Sequence, residues 1–65
     1  MIHKNQRISK KQLEDKKFSL PSNQGSIEIW ENGKSKVYRN PNSGVVLEIE
    51  YEGVFLNTLT IPTAE

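Results

Sequence analysis

The spacing of apolar residues changes along the chain. The first eight residues show no period, and the next eight carry the signals of a helix start. From Ser26 onward apolar and polar residues alternate, which is the period-two pattern of strands with one buried face. The sequence therefore predicts a short helical segment followed by consecutive strands.

Two independent signals place the predicted helix over about 10–17. Ser9 and Gln12 have the spacing of a capping box, in which each side chain bonds to the backbone N–H of the other residue. Ile8 and Leu13 occupy the positions of a hydrophobic staple across the same helix start. A helix this short is not stable alone. We therefore expect it to pack against the strands.

Turn sequences rich in Gly, Asn and Pro separate the alternating segments. They predict an antiparallel meander of four strands, at about 26–30, 34–39, 45–51 and 55–61. Residues 21–25 are predicted to form a loop. The expected fold is α+β, with a short N-terminal helix packed on this four-stranded antiparallel β-meander. We expect a single small domain over 9–65, preceded by a basic flexible arm over 1–8.

The strand register can be argued from the sorting of apolar and charged residues. A three-residue loop at 31–33 pairs Trp30 with Lys34 and sets Ile27 opposite Val37. It places an apolar core on one face: Ile27, Ile29, Val37, Val45, Leu47, Ile49, Tyr51, Phe55, Leu59 and Ile61. The other face would then expose an aromatic and partly apolar patch: Trp30, Tyr38, Lys34, Lys36, Val46 and Leu56.

Composition excludes several classes of protein. The chain of 65 residues has no Cys and a single His, so disulfides are excluded and a zinc site has too few ligands. No apolar run approaches the ~18 residues of a membrane span. We therefore expect a cytoplasmic protein without membrane contact, and no cofactor.

Charge is distributed unevenly along the chain. Residues 1–17 carry six Lys and Arg against two acidic residues, whereas 18–65 carry three against six. The formal net charge of +1 therefore conceals a basic N-terminal part and an acidic remainder. Basic segments of this kind can meet phosphate groups.

Motifs that carry catalysis are missing from the sequence. It contains no phosphate-binding glycine loop, nucleophile elbow or HExxH motif. Glu48, Glu50 and Glu52 alternate on one strand, which is more typical of a solvated face than of a metal site. We therefore expect a protein that is not an enzyme, and keep a small ribonuclease-like toxin as the third hypothesis.

The leading hypothesis is a small binding or regulatory module that acts through protein–protein contacts. Its binding residues would be the patch Trp30, Tyr38, Lys34, Lys36, Val46 and Leu56, since Trp and Tyr are favoured at binding hot spots. The fourth strand, an uncharged edge, is the other candidate contact. The partner would be another protein or a second copy of the chain, as in a dimer.

The alternative hypothesis is a protein that binds single-stranded nucleic acid. Trp30 and Tyr38 would stack on bases, since base–aromatic stacking contributes roughly 1–3 kcal/mol per base. The phosphates would contact basic residues of the arm and helix: Lys10, Lys11, Lys16 and Lys17.

Overall fold

A computed structural model describes residues 1–60, and within them it leaves out the side chains of 21–24. The elements are β1 (Ile2–His3), α1 (Lys10–Asp15), β2 (Ser19–Gln24), β3 (Ile27–Asn32), β4 (Ser35–Arg39), β5 (Val46–Tyr51), β6 (Val54–Leu56) and β7 (Thr58–Leu59). Strands β2 to β6 form an antiparallel sheet in chain order, and β1 pairs with β7 in a second small sheet. Across residues 1–60, none of the helical structure is long and apolar enough to cross a membrane.

The predicted α+β class is wrong, because the described chain is mostly β-structure. Strands make up 50% and helix 11%, and the main sheet has five strands rather than four. The extra strand is β2, which occupies residues predicted as a loop. Its backbone pairs with β3 from Ser19 opposite Glu31 to Gln24 opposite Ile27, with an irregularity between Ser19 and Ser22. The turn lies at Gly25 and Ser26 instead.

The helical segment is shorter than the predicted 10–17 but begins where predicted. Ser9 and Gln12 form both bonds of the capping box. The segment ends after six residues because Lys17 adopts the left-handed conformation, with φ of 71°. Phe18 N–H then bonds to the Leu13 carbonyl, and Lys17 N–H to that of Glu14, which is the Schellman pattern.

The register between β3 and β4 differs from the predicted one. Asn32 pairs with Ser35 and Trp30 pairs with Val37, so the turn is the two-residue loop Gly33-Lys34. Gly33 has φ of 59°, the positive value that a type II′ hairpin requires at its first central position. The pairing is shifted by three residues from the predicted one. An odd shift of this kind exchanges the two faces of a strand.

As a result, the predicted core and outer face of β3 are exchanged. Ile27 and Ile29 lie half-buried on the outside, whereas Glu28 and Trp30 are buried. We call the buried side the covered face; it carries Glu28, Trp30, Val37, Arg39, Val46 and Ile49. The opposite side is called the outer face; it carries Ile27, Ile29, Glu31, Lys36, Tyr38, Glu48, Glu50 and Phe55.

The hydrophobic core combines the covered face with the N-terminal part of the chain. Its buried apolar residues are Ile2, Ile8, Leu13, Phe18, Trp30, Val37, Val46, Ile49 and Leu59. Of the predicted core, Val37, Ile49 and Leu59 are buried. Tyr51 and Phe55 are exposed, and Ile27, Ile29, Val45 and Leu47 are half-buried. Ile61 lies outside the described residues.

The first eight residues, predicted as a flexible arm, are bonded to the rest of the fold. Asn5 N–H donates to Val46 O at 2.8 Å, and Val46 N–H donates to Gln6 O at 2.8 Å. Ile8 N–H donates to Gly44 O at 2.9 Å. Ile2 is fully buried beside Leu59, its partner in the β1–β7 pair. This segment therefore lies along β5 and closes the core.

Candidate functional site

A buried group of polar side chains lies on the covered face, at the last pair of the β3–β4 ladder. Arg39 pairs directly with Glu28 across β3 and β4 and donates from Nη1 to Glu28 Oε1 at 2.7 Å. Trp30 donates from Nε1 to the same oxygen at 3.0 Å. Lys10 Nζ lies 3.5 Å from Glu28 Oε2. Arg39 also donates from Nε to the Ile8 carbonyl at 2.7 Å, which ties the N-terminal segment to the sheet.

These contacts determine the ionisation of Glu28. Burial on its own would raise the pKa of this carboxyl group, because it penalises the charged form. The hydrogen bonds from Trp30 and Arg39, with the positive charges of Arg39 and Lys10, outweigh burial and hold the pKa of Glu28 below its ordinary value. Glu28 is therefore a carboxylate in the folded protein, and its role in the described structure is to neutralise a buried Arg.

The outer face carries a second polar contact, but a more accessible one. Tyr38 Oη donates to Glu50 Oε1 at 3.0 Å. Partial burial raises the pKa of Tyr38, as do the hydrogen bond to Glu50 and the negative charges of Glu50 and Glu31. Lys36 lies opposite Glu50 and 4.0 Å from Glu31. This face thus mixes charged pairs with half-buried Ile27 and Ile29.

The structure does not bring the predicted binding patch together on one surface. Trp30 and Val46 are in the core, and Leu56 packs against it half-buried. Tyr38 and Lys36 lie on the opposite face. The remaining member, Lys34, lies exposed in the β3–β4 turn, where its Nζ is 2.8 Å from Glu52 Oε2.

The predicted phosphate contacts are likewise separated from the aromatic residues. Lys10, Lys11, Lys16 and Lys17 all lie on α1 or at its C-terminal end. Trp30, which would stack on bases in that hypothesis, is only 2% exposed. The basic residues and an accessible aromatic pair therefore do not form one surface for a nucleic acid strand.

The exposed apolar residues are concentrated instead in the hairpin formed by β5 and β6. Apart from Met1, the exposed large apolar residues of the described chain are Tyr51, Val54 (59% exposed) and Phe55 (63%). Tyr51 and Val54 pair on either side of the turn Glu52-Gly53, whose two residues both have positive φ. That conformation is the type I′ turn of tight hairpins.

Strand β6 forms one edge of the main sheet. Because the pair that closes a two-residue hairpin is hydrogen-bonded, the next pair, Glu50 with Phe55, is a non-hydrogen-bonded one. The N–H and C=O of Phe55 therefore point away from β5, toward the free side of the edge. Strand β6 contains Val54, Phe55 and Leu56 and carries no charge.

A groove of about 560 Å³ lies beside this hairpin on the covered side of the sheet. Its lining consists of Asn32, Lys34, Ser35, Tyr51, Leu56, Leu59 and Thr60. The groove combines apolar residues with the side chains that flank the β3–β4 turn. An apolar side chain from a neighbouring molecule can occupy it next to the edge.

Sequence reasoning assigned the residues of this hairpin to other places. Tyr51 and Phe55 were predicted in the core, because the third and fourth strands were predicted over 45–51 and 55–61. The turn Glu52-Gly53 was the available signal, since two residues with positive φ require Tyr51 to pair with Val54. That pairing places Phe55 beside Glu50, on the outer face.

Comparison with protein-family models, with curated proteins and with solved structures found no match to this chain. Among the described residues, no group of three or more His, Cys, Asp or Glu side chains is arranged to hold a metal ion.

Proposed function

We propose that the protein is a small non-enzymatic binding module whose contact surface is the β5–β6 hairpin with the free edge of β6. The observation that carries the proposal is the coincidence of exposed apolar side chains with an uncharged edge strand. Natural sheets protect such edges with charges, prolines or covering segments, because an unprotected edge pairs with another strand. Tyr51, Val54 and Phe55 add the apolar and aromatic contact area that binding surfaces favour.

The partner we propose first is a second copy of the chain. Two β6 strands can pair antiparallel about a two-fold axis, with Phe55 opposite Phe55 of the second copy. Each Phe55 offers one backbone donor and one acceptor, so the pair satisfies both. A symmetric contact of this kind uses the same surface on both molecules and needs no second binding site. It also adds buried apolar area to a domain with a small core.

The experiment is sedimentation velocity over a range of protein concentrations, with a matched pair of variants. Phe55→Lys places a charge on the edge, and Ser26→Lys places the same charge in the exposed β2–β3 turn at the opposite side of the sheet. We expect the parent chain and Ser26→Lys to shift from monomer to dimer with concentration. Phe55→Lys should stay monomeric while its circular dichroism is unchanged.

A parent chain that is monomeric at every concentration would exclude self-pairing. The same three chains, used as bait for partner proteins, then decide the broader proposal. A partner that binds the parent and Ser26→Lys but not Phe55→Lys supports the hairpin as a contact surface. Equal binding to all three chains would place the contact elsewhere and contradict the proposal.

A further inference from the structure

A second groove has a volume of about 310 Å³. It is lined by Arg7, Ile8, Ser9, Gln12, Arg39, Ser43 and Gly44. The N-terminal segment, the start of α1 and the β4–β5 loop therefore meet there. The groove is separate from the β5–β6 hairpin and shares no lining residue with the groove beside that hairpin.

The acceptor oxygens of the side chains in this groove each already accept one hydrogen bond. Ser9 Oγ accepts from Gln12 N–H, and Gln12 Oε1 accepts from Ser9 N–H. Ser43 Oγ accepts from Val45 N–H at 3.3 Å. The two hydroxyl hydrogens and the amide NH₂ group make no such bond within residues 1–60, so they can donate to a ligand.

The backbone carbonyls of the same wall are also engaged. Ile8 O accepts from Arg39 Nε at 2.7 Å, and Gly44 O accepts from Ile8 N–H at 2.9 Å. Together with the two arginines, the free hydrogens of Ser9, Ser43 and Gln12 make the lining rich in donors. A site rich in donors favours a ligand that accepts several hydrogen bonds.

Arg39 contributes a nearly buried guanidinium group to the groove, since its side chain is only 10% exposed. Nε and Nη1 are bonded to Ile8 O and Glu28 Oε1. Within residues 1–60, Nη2 has no such partner, and it lies on the side of Gly44: a Cβ atom built on that glycine would be 3.3 Å from Nη2. The Nη2 amino group of Arg39 is thus left beside the groove, and the bonds of Nε and Nη1 fix its orientation.

The charges around the groove add up to a positive site. Glu28 lies behind Arg39 and is the carboxylate in contact with it; Lys10 lies 3.5 Å from the same carboxylate. These three groups sum to one positive charge, and Arg7 in the lining adds another. A phosphate group carries about 1.5 to 2 negative charges at neutral pH and presents several acceptor oxygens, so it matches both properties.

We propose that this groove binds a phosphate group, held by Arg7 and Nη2 of Arg39 with the hydroxyls of Ser9 and Ser43. The inference is independent of the proposed function, because it uses other residues. The site accepts free phosphate or the phosphate of a small phosphorylated molecule.

The test is a titration with inorganic phosphate followed by amide NMR, with sodium chloride added to hold the ionic strength constant. Arg7→Gln removes one guanidinium without touching the buried pair, and Lys11→Gln removes the same charge from the exposed side of α1. We expect saturable shifts at Ser9, Ser43 and Gly44 in the parent chain. Binding should weaken about tenfold in Arg7→Gln, the effect of losing one charge-assisted hydrogen bond.

Lys11→Gln should bind phosphate within about twofold of the parent chain, since its charge is outside the groove. Glycerol phosphate and phosphoserine are titrated in the same way. If one of them binds more tightly than free phosphate, the groove recognises the phosphate of a phosphorylated molecule of that kind; otherwise its ligand is free phosphate. Equal weakening in both variants, or the same shifts with acetate or chloride at matched ionic strength, would overturn the proposal. So would an absence of saturable shifts.

Discussion

Both faces of the main sheet carry charged as well as apolar side chains, but they differ in how far the charged groups are buried. On the covered face, Glu28 and Arg39 are buried and share one network with Trp30. On the outer face, Glu50 and Tyr38 form a comparable hydrogen bond that remains accessible to water. We therefore expect burial, rather than residue type, to decide how much each polar contact contributes to stability.

The largest difference is expected when one carboxylate is neutralised on each face. Glu28→Gln leaves the buried charge of Arg39 uncompensated, which costs about 3–5 kcal/mol. A domain of this size has roughly that much stability in total, so we expect the variant to be largely unfolded. Glu48→Gln removes a surface pair, 3.7 Å from Lys4, and should cost less than about 1 kcal/mol.

Circular dichroism and urea unfolding of both variants measure this difference. Comparable losses of stability would show that the buried pair is no more important than the surface one. A further variant, Glu28→Met with Arg39→Leu, should be more stable than Glu28→Gln, because no buried charge is left without its partner.

A smaller difference is expected from two substitutions that each remove one donor to a carboxylate. Trp30→Phe removes the indole N–H that bonds Glu28, and leaves a buried acceptor with one partner fewer; the cost should be about 1–3 kcal/mol. Tyr38→Phe removes the hydroxyl that bonds Glu50, where water can replace it, and should cost no more than about 1 kcal/mol. Urea midpoints of the two variants compare them directly, and a larger loss for Tyr38→Phe would contradict the ranking.

The two faces should also lose stability at opposite ends of the pH range. The pKa of Glu28 is lowered in the folded protein, so its contribution is present above the ordinary value of 4.5 and is lost as pH falls through the folded-state pKa. The pKa of Tyr38 is raised, so its contribution is present below 10.0 and is lost as pH rises through the folded-state pKa.

Urea unfolding at a series of pH values measures the loss of stability at both ends of the range. Tyr38→Phe should reduce the loss of stability at alkaline pH and leave the loss at acid pH unchanged. An unchanged loss at alkaline pH in this variant would show that Tyr38 does not cause it.

The smallest effect is expected at the end of α1, away from both faces. Lys17 has φ of 71°, a conformation that glycine adopts without a steric penalty. Lys17→Gly should therefore stabilise the protein by about 0.5–1 kcal/mol. Lys16→Gly, at φ of −91°, gains no such relief and should destabilise by a similar amount. Thermal unfolding distinguishes the two signs, and a loss of stability in Lys17→Gly would contradict the argument.

Local signals in the sequence predicted the parts of the fold that depend on neighbouring residues. The Ser9–Gln12 capping box placed the helix start, because both partners lie within one turn. The glycines at 33 and 53 marked turns between strands, since both have positive φ. The antiparallel pairing of β3 with β4 and of β5 with β6 follows from those turns.

The faces of β3 were not predictable in the same way. The segment Ile27-Glu28-Ile29-Trp30 offers two apolar residues on one side and a Glu with a Trp on the other. When the two sides are compared by hydrophobicity, the side with Ile27 and Ile29 is the expected core side. The structure instead buries Glu28, because Arg39 lies opposite it on β4 and Trp30 donates to it. Such a network depends on partners that are distant in sequence, which no periodicity reveals.

Trp30 and Val46 of the predicted binding patch were placed on the wrong face for the same reason. Trp30 was expected outside and Phe55 inside, and the structure has them the other way round. The edge position of the last sheet strand, in contrast, follows from the order of the turns alone. Strand β2 was missed because the side-chain types of residues 21–25 favour a loop, and only its pairing with β3 makes it a strand.

The pairing of β1 with β7 also determines the order in which the fold can assemble. His3 and Thr58 are 55 positions apart in sequence, whereas β3, β4 and β5 are joined by short turns. During synthesis the hairpins can form as soon as they emerge, but β1 must wait for almost the whole chain. Until that pair forms, the core lacks the contact between Ile2 and Leu59, so we expect closure of the β1–β7 pair to be a late step of folding.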